Sequence, residues 1–223
     1  HAFDFETAHR LYEALPAGDS SLGADELALR RSIIAERLGR QSEALELARA
    51  AAAAAPARRD LVMRVRELAA QAGELSIAID AGKAVLDLVP LDDEEMTLSA
   101  SFALVELYRS AGSTGPAAQL LERIVRDHPH HPVALEQLAE VHSARGDWPT
   151  ATRYLYQLVP LASTPPQRAE RLFRLGEAIL LHLGDVERAD DVFLRASDID
   201  PSHVPTLRRL LDVYWRADDP AAL

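Results

Sequence analysis

Apolar residues recur at steps of three and four through nearly the whole chain, as in Leu104, Val105 and Tyr108, and again in Leu120, Leu121 and Ile124. That period puts them on one face of a helix, and no stretch alternates with the period of two that a half-buried strand requires. The expected class is therefore all-α. The longest low-complexity run, Ala50 to Ala55, also reads as helix.

The helical pattern is broken at regular intervals. Glycines stand at Gly39, Gly73, Gly112, Gly146 and Gly184, with steps of 34, 39, 34 and 38. Five residues after each comes an alanine: Ala44, Ala78, Ala117, Ala151 and Ala189. Twelve residues after four of these comes a proline, at Pro56, Pro90, Pro129 and Pro201; the remaining place is Ser163, with Pro160 and Pro165 nearby. A glycine ends a helix cheaply because it alone adopts the left-handed conformation without a Cβ clash. An alanine one turn into the next helix lets two helices approach closely, and a proline stops the second helix by withholding an amide proton. The unit is a helical hairpin, repeated.

In these residues the chain resembles the tetratricopeptide repeat family, whose 34-residue pattern runs W-x2-L-G-x2-Y, then A-x3-F, then P. The best copy supplies Leu172, Leu175-Gly176, Ile179, Ala189, Phe193, Ala196 and Pro201, with one extra residue near Leu183. Another supplies Leu104, Tyr108, Gly112, Ala117, Leu121, Ile124 and Pro129, and a third Leu135, Leu138-Ala139, Gly146-Asp147-Trp148, Ala151 and Leu155. Two earlier copies are looser, with Ala48 and Gly82 where a large side chain is usual. The resemblance implies a right-handed α-solenoid of about twelve helices. It forms a single array: a half repeat at 1–24, repeats at about 25–58, 59–92, 98–131, 132–165 and 169–203, and a half repeat at 204–223. Asp92, Asp93, Glu94 and Glu95 fill the extra spacing before Leu98 and suit a helix N-terminus.

Arrays usually finish in a polar capping helix. Here Tyr12 and Leu15 at one end, and Leu207, Leu210, Leu211 and Tyr214 at the other, predict apolar faces open to a further helix or another chain. The sequence thus reads as part of a longer array. The first residues, His1 and Ala2, carry no signal or lipidation motif, so the compartment (cytoplasm or cell envelope) stays open.

Composition narrows function more than fold. Lys+Arg 24 against Asp+Glu 35 gives a net charge of −11 over 223 residues, which repels phosphate backbones and argues against nucleic-acid binding. No apolar run reaches the ~20 residues of a membrane helix. The absence of cysteine removes disulfides, thiolate metal sites and cysteine nucleophiles. Lys83 is the only lysine among the basic residues, a skew toward arginine that suggests GC-rich, bacterial coding.

Catalytic motifs are not found: no Gly-rich phosphate loop, no H-E-x-x-H and no G-x-S-x-G. His128, His130 and His131 cluster around prolines, but neighbouring histidines on a stiff loop rarely converge on a metal. They read as an inter-repeat loop, and His142, His182 and Trp148 as packing residues; Trp215 reads as a ligand contact or part of an open end. No enzyme activity, cofactor or metal is expected.

The family resemblance implies that first helices line a concave groove for an extended peptide or helix. The ninth position of successive units, which points into it, holds Ile33, Glu67, Glu106, Glu140, Glu177 and Asp212. Five acidic residues in one column form a ladder, joined by Glu136, Phe102, Phe173 and the arginines Arg64, Arg109, Arg174 and Arg208. The ladder would steer a basic partner. Equally, glutamate is simply a good solvated helix former, and pairs such as Glu106–Arg109 and Arg208–Asp212 would neutralise part of it. The family's lysine–asparagine clamp for a C-terminal carboxylate has no match at these positions. The expected function is a non-catalytic protein–protein interaction scaffold. The alternatives are an array that self-associates through its ends, or the regulatory arm of a larger enzyme or transcription regulator.

Overall fold

The computed structural model of the chain describes residues 4–14, 23–90 and 92–218. Among them are twelve α-helices and no strand: α1 (Phe5–Ala14), α2 (Ala24–Arg37), α3 (Gln41–Ala54), α4 (Arg59–Gln71), α5 (Leu75–Asp87), α6 (Glu94–Ser110), α7 (Thr114–Asp127), α8 (Pro132–Ala144), α9 (Trp148–Leu158), α10 (Pro165–Ala178), α11 (Val186–Ile199) and α12 (Val204–Asp218). The all-α class and the hairpin repeat are as the pattern predicts. The helices gather into two compact units, residues 1–117 and 118–223.

The turns explain why each hairpin forms. Gly39, Gly73, Gly112, Gly146 and Gly184 are the described residues with left-handed φ, between 66° and 77°. In four of these turns the amide after the glycine donates to the carbonyl five residues back: Arg40 to Ala35, Glu74 to Ala69, Ser113 to Tyr108 and Asp147 to His142, at 2.8–2.9 Å. This is the Schellman closure, which satisfies carbonyls that the helix end would leave open. It also returns the chain antiparallel within a few residues.

The fifth turn differs. The extra residue near Leu183 is absorbed as a π-helical turn, Ile179–Leu183, at the end of α10, so that Gly184 still takes the left-handed position. Insertions elsewhere lengthen first helices instead of loops. α6 begins at Glu94, four residues before the repeat frame, because the Asp93 side chain caps it by accepting from the Met96 amide at 2.9 Å. α10 begins at Pro165, capped by Thr164, with prolines at its first positions where no amide is needed.

In the first unit α2 packs on α3, α3 on α4, α4 on α5 and α5 on α6 around a core that includes Leu45, Val65, Leu68 and Val85. Ala48 and Gly82 are not voids there. An added Cβ on Gly82 would lie 3.1 Å from a Leu104 methyl, so larger neighbours already fill the space. In the second unit α8 packs on α9, α9 on α10, α10 on α11 and α11 on α12 around Leu135, Leu155, Leu172, Leu175 and Phe193. Ala44, Ala78, Ala117, Ala151 and Ala189 are all fully buried, as close helix contact demands. Gly176 faces Phe193 so closely that any Cβ would overlap the ring.

At the chain's far end the expected open face is smaller than the sequence suggests. Leu207, Leu211, Tyr214 and Trp215 are exposed, but Leu210 is buried in the second unit's core, because that side of α12 turns onto the α10–α11 layer. At the near end Tyr12 is half-buried beside α2, while Leu15 lies outside the described residues.

Candidate functional site

The ladder positions occupy six first helices, α2, α4 and α6 in the first unit and α8, α10 and α12 in the second. In the first unit Glu67 on α4 is exposed, 3.5 Å from Arg66, and Ile33 on α2 is partly exposed beside a pocket it shares with Phe5, Tyr12, Arg30 and Arg37. Glu106 and Arg109 on α6 form the expected pair at 3.3 Å, and Phe102 is half-buried on the same helix. Arg64 lies mostly buried, donating to Ser32 Oγ and Glu36 Oε2, both at 3.0 Å.

In the second unit Glu140 on α8 is exposed, and Glu136 one turn earlier receives a hydrogen bond from Arg174 of α10. Glu177 on α10 is held by Arg209 of α12, whose Nη2 donates to Oε2 at 2.7 Å and whose Nε lies 2.5 Å from Oε1. Both side chains are about three-quarters covered, and the Glu177 carboxylate holds the Arg209 guanidinium even more firmly protonated. Asp212 lies 4.0 Å from Arg209. The expected Arg208–Asp212 pair is therefore replaced by one at three-residue spacing, because Arg209 sits on the side of α12 that faces α10, whereas Arg208 is exposed.

These contacts expose a column that the sequence reading missed. The sixth position of four units is arginine: Arg30, Arg64, Arg174 and Arg209. Three of them reach back to an acid on the preceding first helix, namely Arg64 to Glu36, Arg174 to Glu136 and Arg209 to Glu177. Arg30 instead binds Glu26 on its own helix at 2.8 Å. The recurrence is visible in the sequence as arginine in four of six units at a fixed offset, three residues before the ladder. Each unit thus carries carboxylate–guanidinium pairs between successive first helices, and part of the acidic column is neutralised within the protein.

The second unit also contains an open pocket of about 430 Å³. Its floor is Ala139, Leu155, Ala178 and one side of Phe173, and Glu140, Arg174 and Glu177 stand around it. Phe173 is braced behind by Phe193 and His203, with ring centroids 5.9 and 5.7 Å away. One wall comes from the π-turn. It brings His182 onto Trp148 in a parallel stack, centroids 3.4 Å apart, and leaves Leu181 exposed at the rim. Trp148 and His182 do pack, as expected, but the surface they build by packing is the pocket wall.

Two further histidines, His131 and His142, have structural partners. His131 caps α8, its Nδ1 accepting from the Ala134 amide at 3.3 Å. His142 is nearly buried, with Nδ1 2.9 Å from Asp147 and its ring 5.6 Å from Tyr154. Asp147 caps α9, and its hydrogen bonds with Thr150 and then His142 hold its carboxyl below the usual carboxylate range. Among the described residues no three histidines or carboxylates gather as a metal site would require, and no described helix is long and apolar enough to cross a membrane.

No protein-family model matches the chain, and no curated protein matches it. Solved structures do. The C-terminal part of a TPR repeat-containing protein from Cytophaga hutchinsonii is similar over 92% of this chain and 80% of its own, with a TM-score of 0.60 at 15% identity. MamA from residue 41 onward, from Desulfovibrio magneticus RS-1, is similar over 83% of this chain and 98% of its own, with a TM-score of 0.52 at 19% identity. YrrB, described as a TPR protein with an unusual peptide-binding site, is similar over 94% of this chain and 98% of its own, with a TM-score of 0.51 at 14% identity. What is shared at these identities is the fold.

Proposed function

We propose that this chain, a tetratricopeptide-type repeat protein in fold, is a non-catalytic scaffold that holds a partner peptide or helix against its first-helix surface. The observation that carries the reading is the pocket of the second unit. An apolar floor, open to solvent and surrounded by Glu140, Arg174 and Glu177, is the kind of surface on which a protein anchors one side chain of a partner. The peptide-binding site attributed to YrrB, a protein of similar fold, supports the same reading. The net charge of −11 favours a partner with basic character, since long-range attraction raises the encounter rate.

The test is selection from a displayed library of random 16-residue peptides on the immobilised chain, followed by titration of the recovered peptides at two salt concentrations. Recovery of peptides that compete with one another and weaken with salt supports the scaffold reading. Failure to recover any saturable binder contradicts it. Replacing Glu106, Glu140 and Glu177 together with Gln should flatten the salt dependence.

A second reading, self-association through α12, is favoured by one observation. Leu211, Tyr214 and Trp215 are 69%, 50% and 77% exposed on one helix. Sedimentation equilibrium of the chain and of a Leu211→Glu/Trp215→Glu variant tests it. A native dimer that becomes monomeric in the variant would support the reading.

A further inference from the structure

We infer that two copies of this chain associate head to tail, with α12 of one copy lying in the groove between α1 and α2 of the other and Asp212 against Arg30. This rests on the reading of self-association through α12 and deepens it by naming the surface that receives the helix.

The repeat says what the exposed side of α12 fits. Leu207, Leu211 and Tyr214 hold the positions that Leu172, Gly176 and Ile179 hold on α10, thirty-five residues earlier. On α10 these positions pack against α11: Leu172 and Ile179 are fully buried, and Gly176 lies under the ring of Phe193. On α12 the same positions are exposed, with Trp215 beside them. A second helix, of the kind that α11 is, would cover them.

α1 is a helix of that kind. Its Ala8 and Tyr12 repeat the spacing of Ala189 and Phe193, the small and the large residue of α11 that enter the core. Ala8 and Tyr12 form one wall of a pocket of about 470 Å³, and Arg30, Ile33 and Arg37 of α2 stand on the other. One repeat on, the equivalent groove between α3 and α4 is filled by α2. Ala44 is fully buried there, and Arg64, thirty-four residues after Arg30, is 18% exposed with its guanidinium on Ser32 and Glu36. Arg30 is 46% exposed, and its acid, Glu26, comes from its own helix. Within the first unit, then, a groove of this type takes a first helix that brings an acceptor for the arginine.

α12 carries such an acceptor. Asp212 occupies the position of Glu177, which holds Arg209 on the following first helix, so in the same register Asp212 meets Arg30. It is well exposed and stands 4.0 Å from Arg209. The pocket is lined by two arginines and by no carboxylate, so the charges of the two surfaces are complementary. Trp215, three residues beyond Asp212, adds a ring face for a guanidinium. Leu211 is larger than the glycine at its place on α10 and needs a hollow, which the pocket beside Tyr12 supplies. A contact between two different surfaces is heterologous, so the pair retains one further groove and one further α12.

The experiment is sedimentation equilibrium of the native chain, of Ile33→Glu in the groove, of Leu211→Glu/Trp215→Glu on α12, and of an equimolar mixture of the two variants, with helicity matched throughout. All three residues are exposed, so the new charges enter no core. The inference expects a native mass that rises with concentration, a monomer for each variant alone, and a 1:1 dimer in the mixture, because each variant supplies the face that the other has lost. A charge exchange gives an independent reading. Arg30→Glu should weaken association roughly threefold, the scale of one exposed ion pair, and Arg30→Glu/Asp212→Arg should restore it. Native-like association of Ile33→Glu, or a mixture that stays monomeric, would overturn the inference; if Leu211→Glu/Trp215→Glu alone abolishes association, self-association through α12 stands and only its receiving surface is wrong. A native chain that is monomeric at every concentration overturns both.

Discussion

The same substitution, glycine to alanine inside a helix, should have opposite effects at two places in this protein. At Gly176 the new Cβ would sit 2.5, 2.8 and 2.9 Å from three ring carbons of Phe193. Carbon atoms in good contact are ~3.5–4.0 Å apart, and Phe193 is fully buried, so a rigid ring must move by about an ångström with no space to receive it. An overlap as deep as 2.5 Å puts the cost at the upper end of the range for overpacking, ~2–3 kcal/mol, and the better helix propensity of alanine returns ~1 kcal/mol. The net expectation is a loss of about 1–2 kcal/mol. At Gly82 the nearest atoms are the terminal methyls of Leu104 and Leu107, at 3.1 and 3.4 Å. Those side chains can give by a few tenths of an ångström, so propensity wins and the variant gains up to ~1 kcal/mol. Urea unfolding followed by circular dichroism, with each unit's transition resolved where they separate, measures both. If the overlap is the cause, Phe193→Leu should rescue Gly176→Ala and give a favourable coupling in a double-mutant cycle. Gly176→Ala as stable as the native chain would refute the reasoning.

Three further outcomes are expected. Gly146→Ala meets no atom within 4 Å yet keeps a φ of 75°, so it should lose ~1–2 kcal/mol from backbone strain alone, and Gly146→Asn should lose less; urea midpoints decide. Asp147 has a lowered pKa, so its contribution is present above the ordinary carboxylate value and is lost as pH falls through the lower, folded one. The stability gap between native protein and Asp147→Ala should therefore be full near pH 6 and shrink as pH falls below ~4; a gap that persists unchanged at pH 2 contradicts this. The Arg209–Glu177 pair, partly covered and joined by one hydrogen bond and a second close ionic contact, should show a coupling of no more than ~1 kcal/mol that declines with salt, measured by a double-mutant cycle in urea.

Much of the fold could be read from the sequence because its punctuation has single-residue causes. Gly39, Gly73, Gly112, Gly146 and Gly184 are glycine because each takes a left-handed φ, and Ala44 through Ala189 are alanine because each is fully buried at a helix contact. The insertions were harder to place. An extra residue near Leu183 can go into a loop or into a helix, and only the packing of α10 against α11 decides for the π-turn. The side of α12 that carries Leu210 was likewise expected to be open, since Leu207, Leu210 and Leu211 taken from one helix alone do not say which leucine faces inward. The candidate site was legible as a column and not as a network. Glu140, Phe173 and Glu177 could be listed by repeat position, but whether Glu177 meets Arg208 or Arg209 depends on side-chain direction across two helices, which sequence spacing does not encode.

The most direct test of the scaffold account is the affinity of a library-selected peptide for the native chain and for Phe173→Ala, compared by isothermal titration with helicity checked for both. Phe173 lines the pocket from a half-buried position and is, with Trp148, one of the two large aromatics there. An anchor of this type is worth ~2 kcal/mol or more on truncation, so the account predicts an affinity loss of about thirtyfold. Undiminished affinity in a folded Phe173→Ala protein would contradict it.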